Sequence, residues 1–158
     1  MSENNDDLQA YSAVAAPSPA LRSLDKLVGT WKVSGRESGP EGEIHGQVTY
    51  EWLDGGYFLI QRIDMVHIDH EIKGIEVIGY ERSWEGETSP DCTSHFFGNT
   101  GESFTYVYDV DDDSLTIWGG ERGSPAAFKG KFSSDRNQVS GAWEWPGGGY
   151  SSTMTRVG

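Results

Sequence analysis

Four histidines, one cysteine and a set of acidic side chains are the groups with which this sequence could do chemistry. His95 stands between Ser94 and Phe96, where a neutral imidazole would serve as general base, haem ligand or polar anchor. A surface or hydrogen-bonded histidine is the plainer reading. His67, Asp69 and His70 are close enough in sequence to suggest metal ligands. On an extended strand, however, His67 and Asp69 share a face and His70 points away, so the three do not converge and no metal site is expected. Cys92 precedes His95 by three residues and follows Ser89-Pro90-Asp91. It reads as a thiol at a strand start, with a Cys–His nucleophile as the sharper alternative. Asp109, Asp111, Asp112 and Asp113 lack the turn glycine and distal glutamate of a calcium loop and read as a solvated turn. Gly147-Gly148-Gly149 lacks the following helix and the Lys-Ser/Thr pair of a phosphate loop. No Gly-x-Ser-x-Gly elbow occurs. The remaining polar candidates for a buried site are Gln61, Arg62, Glu76 and Tyr80.

Composition limits what such groups can serve. Twelve Lys and Arg against 25 Asp and Glu give a net charge of −13, which argues against nucleic acid and anionic membrane as partners. A single cysteine excludes an internal disulfide, so a cytoplasmic location is expected. No stretch is long and apolar enough for a membrane-spanning helix, and the N-terminus does not read as a secretory signal. Glycine is abundant at 21 of 158 residues and aromatics reach 12%, which in short alternating runs signals an all-β chain.

The elements that would position these groups follow from spacing. Residues 1–17 read as an N-terminal tail and 18–158 as one domain. Ser18-Pro19 looks like a helix cap with proline at the first position, and Leu21, Leu24, Leu27 and Val28 form one apolar stripe before Gly29. This helix would plug one end of a barrel, with Trp31 packed beneath it. From Thr30 the period becomes two, giving ten strands near 30–37, 43–53, 57–67, 71–81, 92–99, 103–109, 114–119, 126–133, 138–145 and 149–157. Short turns such as Asp54-Gly55-Gly56 and Asp111-Asp112-Asp113 join them, so neighbours are antiparallel. So long a meander avoids open edges by closing on itself. The expected fold is a single closed, up-and-down antiparallel β-barrel of about ten strands with a short N-terminal helix.

Alternation also sorts faces. Phe104, Tyr106 and Tyr108 share one, as do Phe128, Gly130 and Phe132, then Val139, Gly141, Trp143 and Trp145, and Val48, Tyr50 and Trp52. Their neighbours are polar or charged, so the interior is aromatic, and Trp52, Tyr106, Trp118 and Trp143 are placed nearest a cavity. Trp118 is the least constrained, because Leu115-Thr116-Ile117-Trp118 has apolar side chains on both faces. The strand near 57–67 leaves its parity open. With Arg62 inward it would anchor a carboxylate, and with Gln61 inward it suits a neutral ligand.

Leu27-Val28-Gly29-Thr30-Trp31, a Gly-x-Trp after a short helix, resembles the signature of the calycins, the lipocalins and fatty-acid-binding proteins. Tyr50-Glu51-Trp52-Leu53-Asp54-Gly55-Gly56-Tyr57-Phe58-Leu59 is similar to a lipocalin-like group of small bacterial proteins of unknown function. So are Gly74-Ile75-Glu76-Val77-Ile78-Gly79-Tyr80, Gly141-Ala142-Trp143-Glu144-Trp145 and Met154-Thr155-Arg156. The resemblance covers roughly residues 20–157, implies a calycin-type barrel and carries over no catalytic residue. Nitrobindin-like barrels hold haem through a late histidine, and none follows His95, so no cofactor is expected. The expected function is binding of a small hydrophobic or aromatic molecule in the cavity, with Trp52, Gln61, Arg62, Glu76, Tyr80, His95, Tyr106, Trp118 and Trp143 as candidate site residues. One alternative is a barrel enzyme of isomerase, cyclase or lyase type, which a convergent His95, Glu76 and tyrosine would favour. The other is a homodimeric interaction module.

Overall fold

The computed structural model describes residues 16–37 and 42–158, so all but the last two residues of the expected tail lie outside the described residues. Pro19–Leu27 forms a 3₁₀ helix, capped where the Ser18 side chain accepts from the Ala20 amide. The expected short helix is present, and its type follows from the spacing. Leu21, Leu24 and Leu27 recur at three residues, which a helix of three residues per turn stacks in one line. All three are buried, while Val28 turns out of the helix into extended backbone.

Ten antiparallel strands follow: β1 (Gly29–Glu37), β2 (Glu43–Trp52), β3 (Phe58–His67), β4 (His70–Gly79), β5 (Cys92–Gly98), β6 (Ser103–Val110), β7 (Ser114–Gly119), β8 (Ala127–Phe132), β9 (Gln138–Trp145) and β10 (Gly148–Arg156). Each pairs with its sequence neighbours, and β1 pairs with β10, so the sheet closes. Glycines let the strands curve where inner faces crowd. A Cβ on Gly141 would stand 2.6 Å from the Gly130 Cα across the β8–β9 pair, and one on Gly46 would stand 2.5 Å from the Met65 Cα.

The helix seals the end where β1 begins and β10 finishes. Trp31 is fully buried there, and its indole N–H donates to the Leu27 carbonyl at 2.7 Å. The Arg156 guanidinium lies over the same ring, 4.2 Å from its centre. It donates to the Lys26 carbonyl at 2.7 Å, to the Val28 carbonyl, and to the Asn137 side chain at 3.1 Å. Carbonyls that the end of a helix leaves without partners are thereby satisfied. Lys26 donates to the Asp111 carbonyl at 2.6 Å, tying the helix to the β6–β7 turn. Leu21, Leu24, Leu27, Trp31, Val33, Val48, Leu59, Ile78, Leu115 and Val139 fill this end of the barrel.

Removing the ring at the centre of this packing should leave an unfilled space. Trp31→Ala is expected to lower stability by about 3–5 kcal/mol in urea unfolding followed by circular dichroism. Arg156→Lys keeps the charge and loses the planar fork, and should cost about 1 kcal/mol or more.

Candidate functional site

Beyond the filled end the inner face opens into a cavity of about 260 Å³. Its floor is set by strand register. Tyr50 of β2, Gln61 of β3, Glu76 of β4, Phe96 of β5 and Phe104 of β6 stand directly opposite one another in one row. Paired residues project to the same face, so the row points inward together. Ile63, Met65 and Ile72 continue the wall, and Tyr106, Tyr108, Ile117, Trp143 and Tyr150 complete it. Tyr106 meets Trp143 edge-on at 5.8 Å, and Phe96 stacks on Phe104 at 6.2 Å.

The parity that β3 left open is now settled. Leu59, Gln61, Ile63 and Met65 face in, while Arg62 and Asp64 face out. Arg62 is well exposed and pairs with Glu51 at 3.5 Å. Turning the strand over would bury Arg62 and Asp64 without partners, a larger penalty than leaving part of Val66 exposed.

Two polar pairs lie inside. Gln61 donates through Nε2 to the Tyr50 hydroxyl at 2.9 Å. The Tyr108 hydroxyl donates to Oε2 of Glu76. Glu76 is 5% exposed, and among the described residues no Lys, Arg or His lines the cavity. Burial raises the Glu76 carboxyl above its ordinary range, and the hydrogen bond from Tyr108 offsets this only in part. The adjacent Ser94 hydroxyl also favours the charged form, yet it is fully buried and meets no partner at hydrogen-bond geometry. Burial likewise pushes the phenols up, Tyr106 to about 12 and Tyr50, Tyr108 and Tyr150 further, so all four stay protonated donors near neutral pH.

The structure thus brings together Gln61, Glu76, Tyr106 and Trp143 of the expected site and disperses the rest. Trp52 has the inward parity but sits at the sealed end, where its indole donates to Asp25 at 2.8 Å and Arg22 lies 4.7 Å from its ring. Tyr80 follows β4 and lines a separate cavity of about 240 Å³ beneath the helix, with Leu24, Cys92 and Arg122. His95 faces outward, contacts Glu81 at 2.5 Å and stacks on Phe97, because Ser94 and Phe96 take the inner positions. Trp118 also faces outward beneath Arg122, 4.9 Å from its ring, because Leu115 and Ile117 already fill the inner positions of β7. Arg62 is on the outer face as described. Tyr50 and Tyr108 were legible as inward residues, being two positions from Trp52 and Tyr106, and the pairing with Glu76 and Gln61 is what gives them a role. Ile63, Met65 and Tyr150 carried no sequence signal beyond parity.

The Cys–His reading loses its geometry. Cys92 is inward and buried, with its thiol pushed up to about 12 by that burial, while His95 is on the opposite face. The His67–His70 segment also differs from a continuous strand. β3 ends at His67, Ile68 takes a positive φ of 61°, and His70 returns directly opposite His67 on the same face. His67 lies 3.5 Å from Glu37 and edge-on to Tyr150. Among the described residues no three His, Cys, Asp or Glu side chains come together as metal ligands.

No family model matches the chain, and no curated protein does. Solved structures similar to it include the following two. Rv2717c from M. tuberculosis is 15% identical, with a TM-score of 0.54 over 90% of this chain and 99% of that one. A de novo designed fluorescence-activating β-barrel is 18% identical, with a TM-score of 0.45 over 85% and 97%. At such identity the likeness to Rv2717c concerns the fold alone. Among the described residues no helix is long and apolar enough to cross a membrane.

The raised Glu76 carboxyl gives a signed test. The folded protein holds a proton there that the unfolded chain releases, so stability is full below the ordinary carboxylate range and is lost as pH rises through the folded-state value. Glu76→Gln removes that loss. From about pH 4.5 upward, the variant should gain on the parent by up to about 1.4 kcal/mol per pH unit until the folded carboxyl ionises. Urea melts of both proteins across pH 4–8 measure this, and a pH-independent difference would contradict it.

Proposed function

We propose that the protein binds a small, largely aromatic or apolar molecule in the barrel cavity. The observation that carries this reading is the half-filled interior. The core beneath the helix is filled around Trp31, with a cleft of about 240 Å³ beside Leu24 and Tyr80, while the other end keeps about 260 Å³ open among Ile63, Met65, Ile72, Phe96, Phe104 and Trp143. An interior that existed only for stability would close over such a space, because each unfilled volume forgoes contacts. The volume falls below the range for drug-sized ligands, so the occupant has few rings. The Gly29-Thr30-Trp31 motif beneath a short helix, with Arg156 on the tryptophan, supports reading the barrel as calycin-like. The lone, buried Cys92 supports a cytoplasmic setting.

One observation favours a second reading. A buried carboxyl hydrogen-bonded to a phenol inside a cavity is an arrangement suited to proton transfer, so the barrel would catalyse an isomerase-, cyclase- or lyase-type step through Glu76 and Tyr108. His95 contributes nothing to it, being outside.

A screen of neutral aromatic compounds of one to three rings separates binding from an empty cavity. At least one should alter tryptophan fluorescence through Trp143 and raise the melting temperature. The stabilisation is about 2.7 kcal/mol at a free concentration 100 times the dissociation constant. Ile72→Trp fills the cavity wall and should weaken that compound at least tenfold with the fold retained. A screen without any hit, or a hit indifferent to Ile72→Trp, would move the function to the outer surface.

A further inference from the structure

Resting on the reading of the cavity as a binding site, we infer that its natural occupant carries a positive charge, an aromatic or alkyl amine whose ammonium group sits against Glu76. Charge and shape both lead there. Among the described residues Glu76 is the one carboxyl lining the cavity, and it lies 5% exposed on the floor. A buried carboxyl that ionises calls for a counter-charge, and the described residues supply none: besides Glu76 they line the cavity with tyrosines, phenylalanines, a tryptophan, aliphatic residues and Gln61. Arg62, which would provide the opposite chemistry as an anchor for an acid, is outside and paired with Glu51.

The groups around Glu76 are accounted for strand by strand. Tyr50 faces it from β2, Gln61 from β3, Ser94 from β5 and Tyr106 and Tyr108 from β6. Gln61 is turned to Tyr50, which leaves Tyr108 as the one donor meeting the carboxyl at hydrogen-bond geometry. Ser94, fully buried and without a partner, is a second polar atom beside the carboxyl whose hydrogen bonding is incomplete. A carboxyl at the cavity with a single neutral donor fits a ligand that brings N–H donors and a charge to this spot. The walls suit the same ligand, since the faces of Phe96, Tyr106 and Trp143 attract a cation as well as burying an apolar body. An acid of the same shape would set a second carboxyl beside Glu76 in a desolvated space with no cation for either, and would be rejected.

Three probes of nearly equal shape test this on the full chain by calorimetry and thermal shift at pH 7: 1-naphthylmethylamine, 1-naphthylmethanol and 1-naphthoic acid. The amine should bind at least tenfold more tightly than the alcohol, and the acid should be weakest. In Glu76→Gln the amine-to-alcohol ratio should fall to within about twofold. The parent ranking decides the matter even if that variant does not fold. An alcohol or acid that binds the parent as tightly as the amine overturns the charge assignment and leaves the cavity reading standing. An amine preference that survives in Glu76→Gln also overturns it. Failure of all three to bind, at concentrations that shift no melting temperature, overturns the binding-site reading itself.

Discussion

The stack of Arg156 on Trp31 is the contact on which the rest of the barrel depends. It lies where three separate problems meet. The sheet must join its first strand to its last, the helix must end with its carbonyls satisfied, and the sealed end must exclude water. Trp31 pairs with Arg156 across the β1–β10 seam, so the stack holds the seam. The same guanidinium takes the carbonyls of Lys26 and Val28, so it also fixes the helix terminus. The indole then donates to Leu27, which locks the plug to the strand beneath it. A planar, permanently charged fork is the side chain that can stack and donate in several directions at once.

Sealing one end firmly permits the other to stay open. Apolar side chains from the helix and from seven or more strands meet beneath it, and that packing is sufficient for the barrel to tolerate a floor containing Gln61, Tyr50, Tyr108 and Glu76. Polar groups at that depth are tolerated where they pair, as Gln61 and Tyr50 do. Glu76 stands apart because the partner at hydrogen-bond geometry is a neutral phenol, so among the described lining residues no cation offsets the cost of ionising it.

Much of this architecture could be read from the chain, and what could not has physical reasons. Strand limits came within a residue or two because alternation is strict and turns such as Asp54-Gly55-Gly56 leave little choice. The strands with a charged face, such as Lys129 and Lys131 against Phe128 and Phe132, declared their orientation. β3 and β7 did not, since apolar side chains occur on both of their faces, and only the register with β2, β4 and β6 decided them. Hence Arg62 and Trp118 lie outside. His95 was misleading for another reason: an aromatic neighbourhood along the chain says nothing of depth when alternate residues look to opposite sides. The Tyr50–Gln61–Glu76 row is a cross-strand feature, invisible until residues far apart in sequence are aligned. The short helix was legible from its cap and leucine stripe, and the three-residue leucine spacing fits its 3₁₀ form.

Closure has a consequence for motion. Every strand is flanked by ladder partners on both sides, and β1 and β10 stay in register from Trp31 opposite Arg156 to Glu37 opposite Tyr150. No strand can therefore peel away while its neighbours stay paired, and a local opening of the wall must break two ladders together. Slowly exchanging amides should run around the whole circumference rather than gather in a central few strands, and breathing is confined to the turns. A molecule inside such a wall enters and leaves by the end away from the helix, so its residence time is set by side chains at that rim, Met65, Ile72, Phe104 and Tyr150, rather than by the flexing of the sheet.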